Sequence, residues 1–185
     1  MRGIASIFII AAVLLTGCQE SNEKEDISSV QTAKSENLAK FSDTKVGDHS
    51  KIISLVSELP GGETYKEIKL GDSSVSVVYG RKDGSNYTEE EFSDYWLNND
   101  TIKKNLLYNS TAILILVPNA DEVAIEMEGE TPQTFHITRE ELDGYFNYPL
   151  QHYAEHEKLW EEEIVKETVL NQEERQKFFR TFPLK

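Results

Sequence analysis

A chain of 185 residues with 33 acidic against 19 basic side chains carries a formal net charge of −14. That balance speaks against nucleic-acid binding, which rewards clustered Lys and Arg, and against lying flat on an anionic membrane. A single cysteine excludes an internal disulfide, so a core must hold the fold, and the length suits one domain.

Met1-Arg2 gives a short positive start, and Ile4 to Leu15 is apolar apart from Ser6. This run of about a dozen residues falls short of the roughly 20 needed to cross a hydrocarbon core, and fits the apolar stretch of a secretory signal. Leu15-Thr16-Gly17-Cys18 follows, and this pattern resembles the lipobox of bacterial lipoproteins. The resemblance implies cleavage before Cys18 and a diacylglyceryl group on its thiol. It makes residues 1–17 a signal peptide and membrane lipid the first partner. Two acyl chains anchor stably where one is marginal. Residues 18–44 are then the lipidated cysteine and a flexible polar tether, in which Ile27, Val30 and Leu38 are too sparse to drive packing.

From Val46 the pattern becomes that of a folded domain, expected over residues 45–150. Asp48 or Ser50 caps a helix carrying Ile52, Leu55, Val56 and Leu59, and Pro60-Gly61-Gly62 stops it. Strands are predicted at Thr64–Leu70 and Val75–Tyr79, joined by a turn at Gly71-Asp72-Ser73. Thr88 and Glu91 match a capping box, opening a helix with Phe92, Tyr95 and Trp96. Ile113 to Val117 is strand-like in composition but extends the helical pattern of Ile102, Leu106 and Leu107, which predicts one central buried helix. Glu122 to Glu128 alternates as a half-buried strand, Thr134 to Ile137 is a fourth, and Thr138 with Glu141 forms a second capping box. Residues 151–185 read as a C-terminal helical segment packed on the domain, helical from Gln151 to Phe182. A helix–strand–strand unit thus occurs twice. It predicts an α+β fold: a four-stranded, mainly antiparallel sheet with helices on one face.

The stretch from about Lys45 to Phe146 resembles the domain-of-unknown-function family 4825. The residues that carry this are Val46-Gly47-Asp48-His49-Ser50-Lys51 leading to Leu59-Pro60, the Tyr65 strand, Asn105 to Val117 running into Asn119-Ala120-Asp121-Glu122-Val123, and Phe135 to Glu141. The family's usual opening has Asn where this chain has His49. The resemblance implies an extracytoplasmic module, found in lipoproteins of Gram-positive bacteria and beside membrane sensor-peptidase modules. It brings no catalytic residues.

His152-Tyr153-Ala154-Glu155-His156 matches the letters of inverted zinc peptidases. Histidines four apart on one helix face hold a zinc ion, and an adjacent glutamate serves as general base. The chain after His156 is too short for the usual downstream ligand, so His152, Glu155 and His156 stand as weak metal candidates and no cofactor is expected. His49 and His136 are isolated, and His136, on a strand, is expected to be partly buried. Glu89-Glu90-Glu91 with Asp94 suits a helix N-terminus. No Gly-rich phosphate loop and no Gly-x-Ser-x-Gly elbow occurs. Most aromatics are expected in the core or in the seam of the C-terminal helix, and an exposed remainder would serve a partner.

These features point to a non-enzymatic module, lipid-anchored on the extracytoplasmic face of the cell membrane, that binds a membrane or envelope protein or a peptide. A small-ligand or envelope-stress sensor is the alternative reading, and a zinc-dependent hydrolase the third.

Overall fold

The structure, a computed structural model, describes residues 27–33, 35–129 and 131–185; the lipobox at 15–18 lies outside the described residues. A short α1 (Ser35–Leu38) runs into a 3-10 turn and is followed by α2 (His49–Glu58). Next come the antiparallel pair β1 (Tyr65–Leu70) and β2 (Ser74–Tyr79), then α3 (Glu89–Trp96) and α4 (Asn99–Leu116). A second antiparallel pair, β3 (Glu122–Met127) and β4 (Gln133–Thr138), leads into α5 (Arg139–Tyr145). The chain closes with α6 (Leu150–Glu155), α7 (Glu157–Leu159), a π-helical segment (Trp160–Leu170) and α8 (Gln172–Thr181).

The four strands form one sheet in sequence order, and β2 pairs with β3 in parallel. A parallel pair needs a long crossover, and α3 with α4 supplies it. The sheet is therefore mixed, with antiparallel pairing at both sides of one parallel joint. Alternation sends Val75, Val77, Tyr79, Val123, Ile125, Met127, Phe135 and Ile137 to the helix-covered face, all essentially buried. Glu126, Thr134 and His136 stay exposed on the open face. His136 is thus not a core residue; its Nε2 lies 3.0 Å from the Glu122 carboxylate.

Local signals set the helix starts. Asp48 accepts from the Lys51 amide, and both capping boxes, Thr88 with Glu91 and Thr138 with Glu141, are complete. Helix α4 is 18 residues long and buried throughout its second half, where apolar side chains face every direction as in a helix enclosed by a core. Its Ser110 and Thr111 hydroxyls bond back to the Leu106 and Leu107 carbonyls.

Charge complements both ends of α4. At its C-terminus the Arg139 guanidinium donates to the carbonyls of Leu114 (2.7 Å), Val117 (3.0 Å) and Ala120 (2.9 Å). At its N-terminus Asp100 pairs with Lys104 and with Arg175 of α8, which also donates to the Val169 carbonyl at the end of the π-helical segment. Anions at helix starts and cations at helix ends both oppose the macrodipole.

The C-terminal segment is not one continuous helix. It breaks at His156 and Asn171, and between them Thr168 Oγ1 donates to the Glu163 carbonyl five residues back. Trp160, Ile164, Val165 and Val169 are buried at a spacing of four to five, which suits i→i+5 bonding better than an α-helix. Phe178 and Phe179 pack against Phe135, and Lys185 exchanges two backbone hydrogen bonds with Thr134, covering the β4 edge. The segment expected to be tether also packs: Val30, Leu38 and Phe41 are buried. Few apolar side chains suffice there because Ser28 is held by its backbone.

Burial opposes the charge of Asp100, but the hydrogen bonds from Lys104 and Arg175 outweigh it and hold its carboxyl below the ordinary value of 3.8. The stability this gives is present above that value and is lost as pH falls through the folded-state value. Arg175→Met should therefore cost roughly 2–3 kcal/mol at neutral pH and flatten the acid limb of the stability curve. Urea unfolding of both proteins at neutral pH and below 3.8 checks this.

Candidate functional site

The segment 27–33 crosses the end of the sheet where β1 begins and β2 finishes. Ser28 is its fixed point. The Ser28 carbonyl accepts from the Gly61 amide (2.9 Å) and from the Tyr95 hydroxyl (2.5 Å), while its own amide and hydroxyl donate to the Glu63 carboxylate (3.2 and 2.9 Å). Tyr95 in turn accepts from Asn105 Nδ2 (2.8 Å) of α4.

Beneath this junction lies Trp96. Gly61 follows α2 with φ of 75°, and a Cβ there would stand 2.4 Å from the indole ring, so only glycine fits. The indole Nε1 donates to Thr64 Oγ1 (2.9 Å), and Tyr79 packs on the ring at 4.6 Å. Asn109 of α4 donates to the Pro60 carbonyl and to the Tyr79 hydroxyl. Burial pushes the phenols of Tyr79 and Tyr95 well above their ordinary value of 10.0, against the opposing effect of the asparagine hydrogen bonds.

Two cavities flank Ser28, and Glu63 lines both. One, of about 220 Å³, lies toward α1 and the end of α2. The other, of about 260 Å³, is lined by Ile27, Glu63 and the loop from Lys82 to Tyr87. Lys82 turns its ammonium onto the ring of Tyr65, 3.7 Å from the ring centre and outside the cleft lining, and the Tyr87 hydroxyl is directed at the Gly80 and Glu63 carbonyls. The lining brings together Glu63, whose carboxylate is held by Ser28, with Lys82, Asp83, Asn86 and Tyr87.

At the other end of the sheet Asp121, Glu122, Glu140 and Asp143 surround Arg139 in a cavity of about 440 Å³. Here the Val46 amide donates to Asn119 Oδ1, Asp121 to the Ser73 carbonyl, and Arg139 to the Asp121 carbonyl. Burial lowers the Arg139 guanidinium from its ordinary value, with Asp143 and Asp121 opposing that shift. The guanidinium is already committed to helix carbonyls, so its role is architectural.

His152 and His156 are not on one continuous helix, because α6 ends at Glu155 and His156 leaves helical geometry. Their rings stack at 4.1 Å and 27°, and Tyr148 stacks on His152 at 4.7 Å. Near-parallel imidazoles direct their in-plane lone pairs side by side and not at one ion. His156 Nδ1 donates to the His152 carbonyl, and Glu155 is exposed. Among the described residues no group of three His, Cys, Asp or Glu is placed to hold a metal ion. Most of the aromatics expected in the core are there, while Tyr148 stays 42% exposed. Sequence reasoning gave no role to Ser28, Glu63, Asn105 or Asn109. The one available signal was a pair of asparagines four apart that bracket Leu106, Leu107 and Tyr108.

Fold and site together define a small α+β module with a clipped N-terminal strap, a mixed-charge cleft beside it and helices on one sheet face. Residues 38–138 match the model of the family described as Domain of unknown function (DUF4825), and the chain belongs to that family. No curated protein and no solved structure matches the chain. Three of the segments behind the family resemblance meet through Val46, Asn119, Asp121 and Arg139.

Removing the Tyr95 hydroxyl takes a donor from Ser28 and a partner from Asn105. Tyr95→Phe should cost about 1–2 kcal/mol and speed proteolytic cutting near residue 28. Denaturant unfolding and limited proteolysis with mass mapping check both effects.

Proposed function

We propose that this protein is a lipid-anchored extracytoplasmic module that binds a protein or peptide partner at the cell membrane. The observation that carries this reading is the mixed-charge cleft of Ile27, Glu63 and Lys82–Tyr87, set beside the strap of residues 27–33. Placement at the membrane rests on the lipobox-like Leu15-Thr16-Gly17-Cys18. Binding rests on the lining of the cleft, where Glu63, Lys82, Asp83, Asn86 and Tyr87 supply charged, amide and aromatic side chains suited to a peptide. No helix among the described residues is long and apolar enough to cross a membrane, so in this reading the acyl chains at Cys18 do the anchoring.

In-cell cross-linking of the full chain tests the reading. The wild-type protein should carry the lipid mass on Cys18 and yield one cross-linked membrane or envelope partner. Cys18→Ala should lose both, and Lys82→Glu should keep the lipid and lose the partner. A partner captured equally by Cys18→Ala would show that anchoring is not needed. Capture of nothing, together with a melting shift on adding cell-wall fragments, would favour a small-ligand sensor.

A further inference from the structure

We propose that Asp83-Gly84, in the loop that lines the cleft, is a modification site at which the folded chain converts aspartate to isoaspartate without an enzyme. The inference is independent of the anchor and partner readings. The chain holds two Asp-Gly steps, at 83–84 and 143–144. Glycine carries no side chain to shield its own amide nitrogen. These are therefore the two places where a main-chain nitrogen reaches the preceding carboxyl carbon with least hindrance, and the fold treats them differently.

Lys82 to Ser85 form a tight turn in which the Ser85 amide donates to the Lys82 carbonyl (3.2 Å). Gly84 has a φ of 78° while Asp83 stays outside the left-handed region, the pattern of a type II turn. The turn leaves the Gly84 amide over: it donates to no acceptor among the described residues. The exposed Asp83 carboxylate likewise enters no hydrogen bond or salt bridge among them. Nothing stands within 4 Å of where a Cβ on Gly84 would lie, so no neighbour resists rotation of this peptide and water reaches it. Asp143-Gly144 instead lies inside α5, where amides are spent on carbonyls one turn back. Asp143 Oδ1 is also taken up by the Leu150 amide (2.6 Å). At Asp72-Ser73, the turn of the first hairpin, the serine side chain crowds its own nitrogen, and the Ser73 carbonyl is held by the Asp121 amide (2.7 Å).

The step balances with water alone. The Gly84 nitrogen bonds to Asp83 Cγ, the carboxyl hydroxyl departs with the amide proton as water, and a five-membered imide results. One water then reopens the ring. Breaking the new bond restores aspartate, and breaking the original main-chain bond leaves Gly84 attached through the former side chain. Nothing is oxidised or reduced. The product carries an extra methylene in the main chain between Lys82 and Ser85, and so displaces the turn on which Asp83, Ser85 and Asn86 enter the cleft lining.

Prolonged incubation of the full chain in neutral buffer made with oxygen-18 water, followed by peptide mapping and enzymatic methylation of isoaspartate, tests this. Isoaspartate at 83, carrying one heavy oxygen, should accumulate several-fold faster than at 143 or 72, and Asp83→Glu should abolish it. In denaturant the two Asp-Gly steps should react at similar rates. Absence of isoaspartate at 83, faster conversion at 143 or 72, or the same ratio of 83 to 143 in denaturant as in the native protein would overturn the inference.

Discussion

The contact between Gly61 and Trp96 is the constraint on which the rest of the structure depends. The indole fills the space a side chain at 61 would need. It also hydrogen-bonds Thr64 at the start of β1 and packs on Tyr79 at the end of β2. One side chain from α3 thereby fixes where α2 stops and where the first hairpin begins. Removing a core tryptophan costs roughly 3–5 kcal/mol, set against a net stability of about 5–15 kcal/mol for a typical domain. Asn109 extends the arrangement into α4, where its amide satisfies the Pro60 carbonyl and the Tyr79 hydroxyl. The left-handed turn at Gly61 then presents its amide outward, and Ser28 accepts it.

Helix α4 organises the second half by a different device. From Ala112 to Leu116 it is apolar on all sides, so packing alone fixes its orientation weakly there, and charges at its two ends supply register. Arg139 sits on its last carbonyls and ties α5 and β4 to it. Asp100 at its start takes Arg175 from α8. The parallel pairing of β2 with β3 follows, since α4 must carry the chain back over the sheet to begin β3 beside β2. The two ends of the sheet become unlike: one is a dense backbone junction around Asn119, Asp121 and Arg139, the other an open cleft crossed by the strap.

What the sequence revealed was local. Thr88 with Glu91 and Thr138 with Glu141 mark their helices because a capping box closes within four residues. The alternation of Val123, Ile125 and Met127 marks β3 because strand burial has a period of two. Ile113 to Val117 was legible as helix because it continues an established periodicity. What stayed hidden depended on distant partners. Val30 and Leu38 look too sparse to pack, and they do so because the Gly61 amide and the Tyr95 hydroxyl, far along the chain, hold Ser28. His136 is exposed because only one sheet face is covered. His152 and His156 have helix spacing, but the chain leaves the helix at His156 and the rings stack. Of the candidate site, Tyr87 and Tyr95 were visible only as aromatics, and Glu63 not at all, because its role arises from the strap laid across it.

The functional account therefore turns on whether the strap belongs to the native fold. Amide hydrogen exchange of Gly61, whose only described backbone acceptor is the Ser28 carbonyl, tests this most directly. The account predicts protection of the Gly61 amide comparable to the core amides of β2. Exchange at the rate of an unstructured peptide would show the strap released in solution and contradict it.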